Sequence, residues 1–136
     1  SPLEAESALE KACALYRGEY LDGMSFPDDE WCFWRREELA RRYHGALQLL
    51  GDLRAERGDY GGALDAYRRL IACDPLREDI HRAIMRCLAL SGDRNAALRH
   101  YRTVVDLLRS ELAVEPLPET SELYRMIAEG REERVQ

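Results

Sequence analysis

Apolar residues recur at three- and four-residue spacing along almost the whole chain, and each such run predicts an amphipathic helix. The first places Leu9, Ala12, Cys13 and Tyr16 on one stripe of a helix over Leu3–Tyr16. Arg17-Gly18 should end it, with glycine as a left-handed cap. Glu19–Pro27 follows, broken by Gly23 and Pro27. Its large apolar groups, Tyr20, Leu21, Met24 and Phe26, are expected to pack down onto the helices. A long helix is predicted from about Asp29 to Arg57, its start complemented by Asp28, Asp29 and Glu30. Its stripe opens on Trp31, Phe33 and Trp34 and continues through Leu39, Tyr43, Ala46, Leu47, Leu50 and Leu53. Gly51 falls on the face toward a partner helix, and Gly45 is a place where the helix could bend.

Four shorter helical patterns follow. Tyr60–Ala72 carries Ala63, Leu64, Tyr67, Leu70 and Ile71 inward. Asp74-Pro75 then stops one helix and should start the next, as N-cap and first-turn proline. That next pattern runs Leu76–Leu90, with Ile80, Ala83, Ile84, Cys87 and Leu88 inward. The third spans about Arg94 to Leu112. Ala113–Thr120 holds two prolines and cannot be helical throughout. The last helix begins at Pro118 or Glu119, ends near Gly130, and carries Leu123, Met126 and Ile127; the tail beyond it should fray.

Two of these stretches are variants of each other. Gly58–Pro75, GDYGGALDAYRRLIACDP, returns as Gly92–Arg109, GDRNAALRHYRTVVDLLR, at an offset of 34 residues. Gly58-Asp59 maps to Gly92-Asp93, Ala63-Leu64 to Ala97-Leu98, and Tyr67 to Tyr101. A period of that length built from two helical patterns marks tetratricopeptide-type helix pairs. Short turns force consecutive helices antiparallel. Gly51, Ala63, Ala83 and Ala97 stand where backbones must approach, and Tyr67 and Tyr101 fill space between repeats. The expected fold is all-α: tetratricopeptide-like antiparallel helix pairs stacked into a short right-handed solenoid of six to seven helices, one domain over residues 1–136.

Composition narrows the class. No apolar run approaches the ~20 residues of a membrane span, and the acidic, helical start is not a signal peptide. The chain opens without methionine and in mid-pattern, as expected for part of a longer protein. Cys13, Cys32, Cys73 and Cys87 form no C-x-x-C pair, so buried apolar thiols in a reducing cytoplasm are expected rather than zinc. The net charge of −6 hides a basic centre, with thirteen bases against nine acids over residues 41–109, between acidic ends. Acids alternate with those arginines and the isoelectric point is 5.2, which argues against direct nucleic-acid binding by this segment.

No catalytic constellation is present: no G-x-S-x-G, no phosphate-binding glycine loop and no H-E-x-x-H. No enzyme, cofactor or metal site is therefore expected. His81 is read as a packed or surface histidine. Glu37–Arg41 and Glu38–Arg42 are spaced as exposed helix ion pairs. The basic residues best placed to meet a partner are Arg77, Arg82 and Arg86, with Arg99 and Arg102 further on. Arg82 and Arg86 are one helical turn apart, as are Arg99 and Arg102.

Three further stretches are more specific than the repeat: LYRGEYLDGMSF with WCFWRREELARRY, then DPLRE with His81, Met85, Gly92 and Ala97–Tyr101, then LAVEPLPET. Their types and order resemble the bacterial transcriptional activator domain of SARP-type antibiotic-regulatory activators. The resemblance covers nearly the whole chain. It departs at Ala113, where glycine is usual, and at Leu117, where a small residue is usual. It implies a non-catalytic regulatory module that supports transcription activation beside a winged-helix DNA-binding domain absent from this sequence. Implied partners are the transcription machinery or neighbouring domains, with homo-oligomers open. Two alternatives fit the helix pairs: a generic tetratricopeptide adaptor gripping a partner's peptide, and a regulatory domain attached to a signalling enzyme.

Overall fold

The computed structural model describes residues 1–22 and 30–130 and contains six helices among them: α1 Pro2–Asp22, α2 Glu30–Glu56, α3 Tyr60–Cys73, α4 Glu78–Leu90, α5 Arg94–Leu112 and α6 Pro118–Ala128. No strand occurs in the described residues. Each helix packs on the next in sequence, and α6 also reaches back to α4. This is the order expected of stacked antiparallel pairs, and it is compatible with a tetratricopeptide-like solenoid.

The two echoed turns work alike. Gly58 has φ +85° and Gly92 φ +94°, a region that strains any side chain. The aspartate after each glycine then caps a helix. Asp59 accepts from the Gly62 N–H at 3.0 Å and Asp93 from the Ala96 N–H at 3.1 Å, satisfying a donor that the first turn would leave orphaned.

Two boundaries differ from expectation, at Gly18 and at Asp74, while α5 ends at Leu112 as expected. Gly18 does not end α1, which continues through it to Asp22. A mid-helix glycine costs only about 1 kcal/mol, and packing on α2 outweighs that. Asp74 closes α3, donating its N–H to the Leu70 carbonyl, but does not open α4. The following proline keeps it extended, at φ −139°, and α4 starts only at Glu78 with Arg77 as its cap. Ala113 ends α5 in the left-handed region at φ 54°, a place that glycine usually fills; a non-glycine there costs about 1–2 kcal/mol. The expectations for Met24, Phe26 and the tail after Gly130 lie outside the described residues.

Cys13, Tyr43, Leu47, Leu50, Tyr67, Leu70, Ile84, Met85 and Ile127 belong to a single core to which all six helices contribute, α5 through Ala97. Ala63 and Ala97 are fully enclosed, as the small-residue pattern requires. Cys87 is also buried, but Cys73 is exposed, because it is the last residue of α3. The aromatic start of α2 departs further. Trp31 is 72% and Trp34 58% exposed, so the core-facing stripe begins only at Leu39.

A polar strap fixes α1. Glu6 is buried and accepts from Arg57, while Arg54 bonds Glu10 at 2.7 Å and the Gly62 carbonyl at 3.1 Å. Arg69 of α3 completes it by bonding Glu10 at 3.0 Å. The guanidinium partners hold both glutamates below the usual carboxylate range against the opposing effect of burial. On the exposed face of α2, Glu38 takes both Arg42, at 2.9 Å, and Arg41, at 2.7 Å.

Candidate functional site

An open cleft of about 550 Å³ lies between α2, α3 and α4. Tyr67 of α3 is buried beneath it and donates its hydroxyl to Asp52 Oδ1 of α2 at 2.6 Å. The ring fits because Gly51 has no side chain: a Cβ there would lie 2.5 Å from the nearest ring carbon. Burial, reinforced by the carboxylate, raises the phenol well above its ordinary pKa, so it stays a neutral donor. Burial likewise pushes the Cys87 thiol, on the α4 side, up to about 11. That leaves it protonated and a poor nucleophile at neutral pH.

The five arginines singled out above are not one surface. Arg77 is turned inward, to Asp79 at 2.8 Å and to the Gln48 side chain at 2.8 Å. Arg82 donates to Thr120 Oγ1 of α6 at 2.9 Å and lies 3.8 Å from Glu78. Arg86 lines the cleft, where burial lowers its pKa. Arg99 and Arg102 stand exposed on α5.

Two constellations were not anticipated. His81 Nδ1 meets His100 Nε2 at 2.9 Å, and His81 Nε2 meets the Pro75 carbonyl at 2.7 Å. The carbonyl can only accept, so His81 carries its proton on Nε2 and His100 donates to His81. The chain thereby ties α5 through α4 to the turn after α3. The other is a closure. The Glu78 carboxylate accepts the Leu117 N–H at 2.8 Å and the Thr120 hydroxyl, placing negative charge at the N-terminus of α6. Only the i, i+3 spacing of Glu78 and His81 was visible in sequence; His100, Leu117 and Thr120 are 19 to 42 residues from the residues they bond.

The DPLRE and LAVEPLPET stretches are thus in contact through Glu78 and Thr120. Residues 1–128 match the family described as bacterial transcriptional activator domain. The chain belongs to that family. It is a transcriptional-activator regulatory domain, as the resemblance to a bacterial transcriptional activator domain implies. No curated protein and no solved structure matches it. Among the described residues of this activator domain no helix is long and apolar enough to cross a membrane. No group of three histidine, cysteine or acidic side chains there is placed to hold a metal ion.

The histidine chain sets a pH dependence. Burial, and then the neighbouring His81 and Arg68, push His100 from 6.5 down to about 4; burial lowers His44 as well. The unfolded chain binds protons below about 6.5 that folded His100 refuses until about 4. Stability is therefore complete above pH 6.5 and falls as pH drops toward 4. Between pH 7 and 5 the loss due to His100, discounted for its partial exposure, should be about 1 kcal/mol. Urea midpoints across that range check it, and His100→Gln should flatten the slope.

Proposed function

We propose that this activator domain is a non-catalytic protein-interaction module. In this role it couples an attached DNA-binding domain to the transcription machinery in the bacterial cytoplasm. The family match over residues 1–128 carries the proposal. Its physical support is a scaffold of stacked helices with arginines displayed on one helix. Arg99 and Arg102 form no ion pair among the described residues. They are exposed and free to meet an acidic partner surface, whereas Arg77 and Arg82 already have internal partners and Arg86 is half-buried in the cleft.

The test is a promoter reporter driven by the full-length regulator. Arg99→Glu with Arg102→Glu should lower activation at least fivefold while the protein still melts normally and still binds its promoter. Undiminished activation would remove this surface from the proposal. A generic adaptor role is favoured by one observation only, the open cleft, and would instead leave the reporter unaffected when the regulator's own domain order is kept.

A further inference from the structure

The two walls of the cleft carry opposite charge. Asp52 and Glu56 stand on the α2 side and Arg86 on the α4 side, with Ala55, Ala83 and Leu90 as apolar lining. Arg86 forms no ion pair or hydrogen bond with any described residue. Burial and the positive charge of Arg82 weigh against its charge, and Asp52 supports it only weakly from a distance, without closing a bridge. A guanidinium that is half-buried and unbridged loses hydration without regaining hydrogen bonds. It has five donors in a planar fork that suits a carboxylate.

A plain anion would meet two carboxylates against one guanidinium, and a plain cation would leave Arg86 unmatched. Both are poor fits. A molecule carrying an ammonium and a carboxylate on a short apolar stem matches the walls. At about 550 Å³ the cleft is within the size range of small-ligand sites.

We infer that the cleft binds a small zwitterion of the α-amino-acid type, its carboxylate on Arg86, its ammonium toward Asp52 and Glu56, and its side chain against Ala55, Ala83 and Leu90. The inference stands on the cleft alone. It would give the regulatory domain a metabolite-sized input separate from the Arg99 and Arg102 surface, and it survives or fails independently of the transcription assay.

Titration of the 136-residue chain with leucine, followed by calorimetry and by the Arg86 Nε–H resonance, tests it. Leucine should saturate the site and move that resonance. Leucinamide, which lacks the carboxylate, and N-acetylleucine, which lacks the ammonium, should each bind at least tenfold more weakly. Arg86→Met and Glu56→Gln should each weaken leucine tenfold or more. Glu56 is exposed, so its variant keeps the fold even if Arg86→Met does not. Equal binding of the three compounds, unchanged affinity in Glu56→Gln, or no leucine binding up to about 10 mM would each overturn the assignment. The last limit corresponds to a binding free energy weaker than about 3 kcal/mol.

Discussion

Tyr67→Ala should destabilise the chain by about 3–5 kcal/mol, the range for removing a buried aromatic ring. The ring is nearly inaccessible and sits in a space shaped for it by Gly51. Truncation leaves a void lined by α2, α3 and α4, and none of these helices can close it without leaving its other partners. Tyr67→Phe separates ring from hydroxyl. It loses the 2.6 Å bond to Asp52, but Asp52 is exposed and water can replace the donor, so about 1 kcal/mol is expected. Gly51→Ala completes the set. With a Cβ 2.5 Å from a ring carbon, it should cost about 1–3 kcal/mol by overpacking, yet little in a Tyr67→Ala background. Denaturant midpoints of the two single variants and the double measure that coupling. Additive losses would mean that ring and glycine are not in contact.

The same contact shows how far the repeat could be read. The 34-residue echo placed Gly58, Asp59, Ala63 and Tyr67 correctly, and their counterparts in turn and cap. It also expects Tyr101, like Tyr67, to fill space between repeats, and Tyr101 does pack against the core, but only partly buried. Met85 and Arg86 stand where Gly51 and Asp52 stood one repeat earlier. Met85 is fully buried, so a long side chain stands where the earlier repeat has none. Tyr101 instead stacks on Tyr124 of α6, ring centres 4.2 Å apart. The residue that decides each tyrosine's place lies outside the echoed stretch, so the echo alone carries no information on it.

The strap and the cleft were hidden for a related reason. Glu6 and Glu10 precede Cys13 at helical spacing and share its face, but carboxylates on an apolar stripe look like its polar border. Their partners, Arg54 of α2, Arg57 in the turn after it and Arg69 of α3, lie more than 40 residues on. Periodicity reports which face turns inward and is silent on which charges meet there. The five arginines illustrate the cost of that silence. Spacing grouped Arg82 with Arg86, whereas one closes onto α6 and the other opens into the cleft.

Glu78→Ala should have the second large effect, about 3 kcal/mol, and a local one. The carboxylate is the acceptor for the Leu117 N–H and the Thr120 hydroxyl, and it lies 3.8 Å from Arg82. Thr120 is fully buried. Removing the acceptor leaves a guanidinium and a hydroxyl enclosed without their anion, which is worse than never having built the pair. Glu78→Gln keeps an acceptor and loses only the charge, so about 1 kcal/mol is expected. Thr120→Val keeps the shape and loses the bridge. It should fall between the two, because Arg82 then has Glu78 alone. The loss should concentrate in α6, whose main packing partners among the described residues are α4 and α5. Amide hydrogen exchange at Leu123 and Ile127 should accelerate in Glu78→Ala by a larger factor than at Leu47 and Leu50 in α2, as for a unit that opens by itself. Equal acceleration at both ends would show instead that the closure is a part of the global core, and that α6 does not detach as a unit.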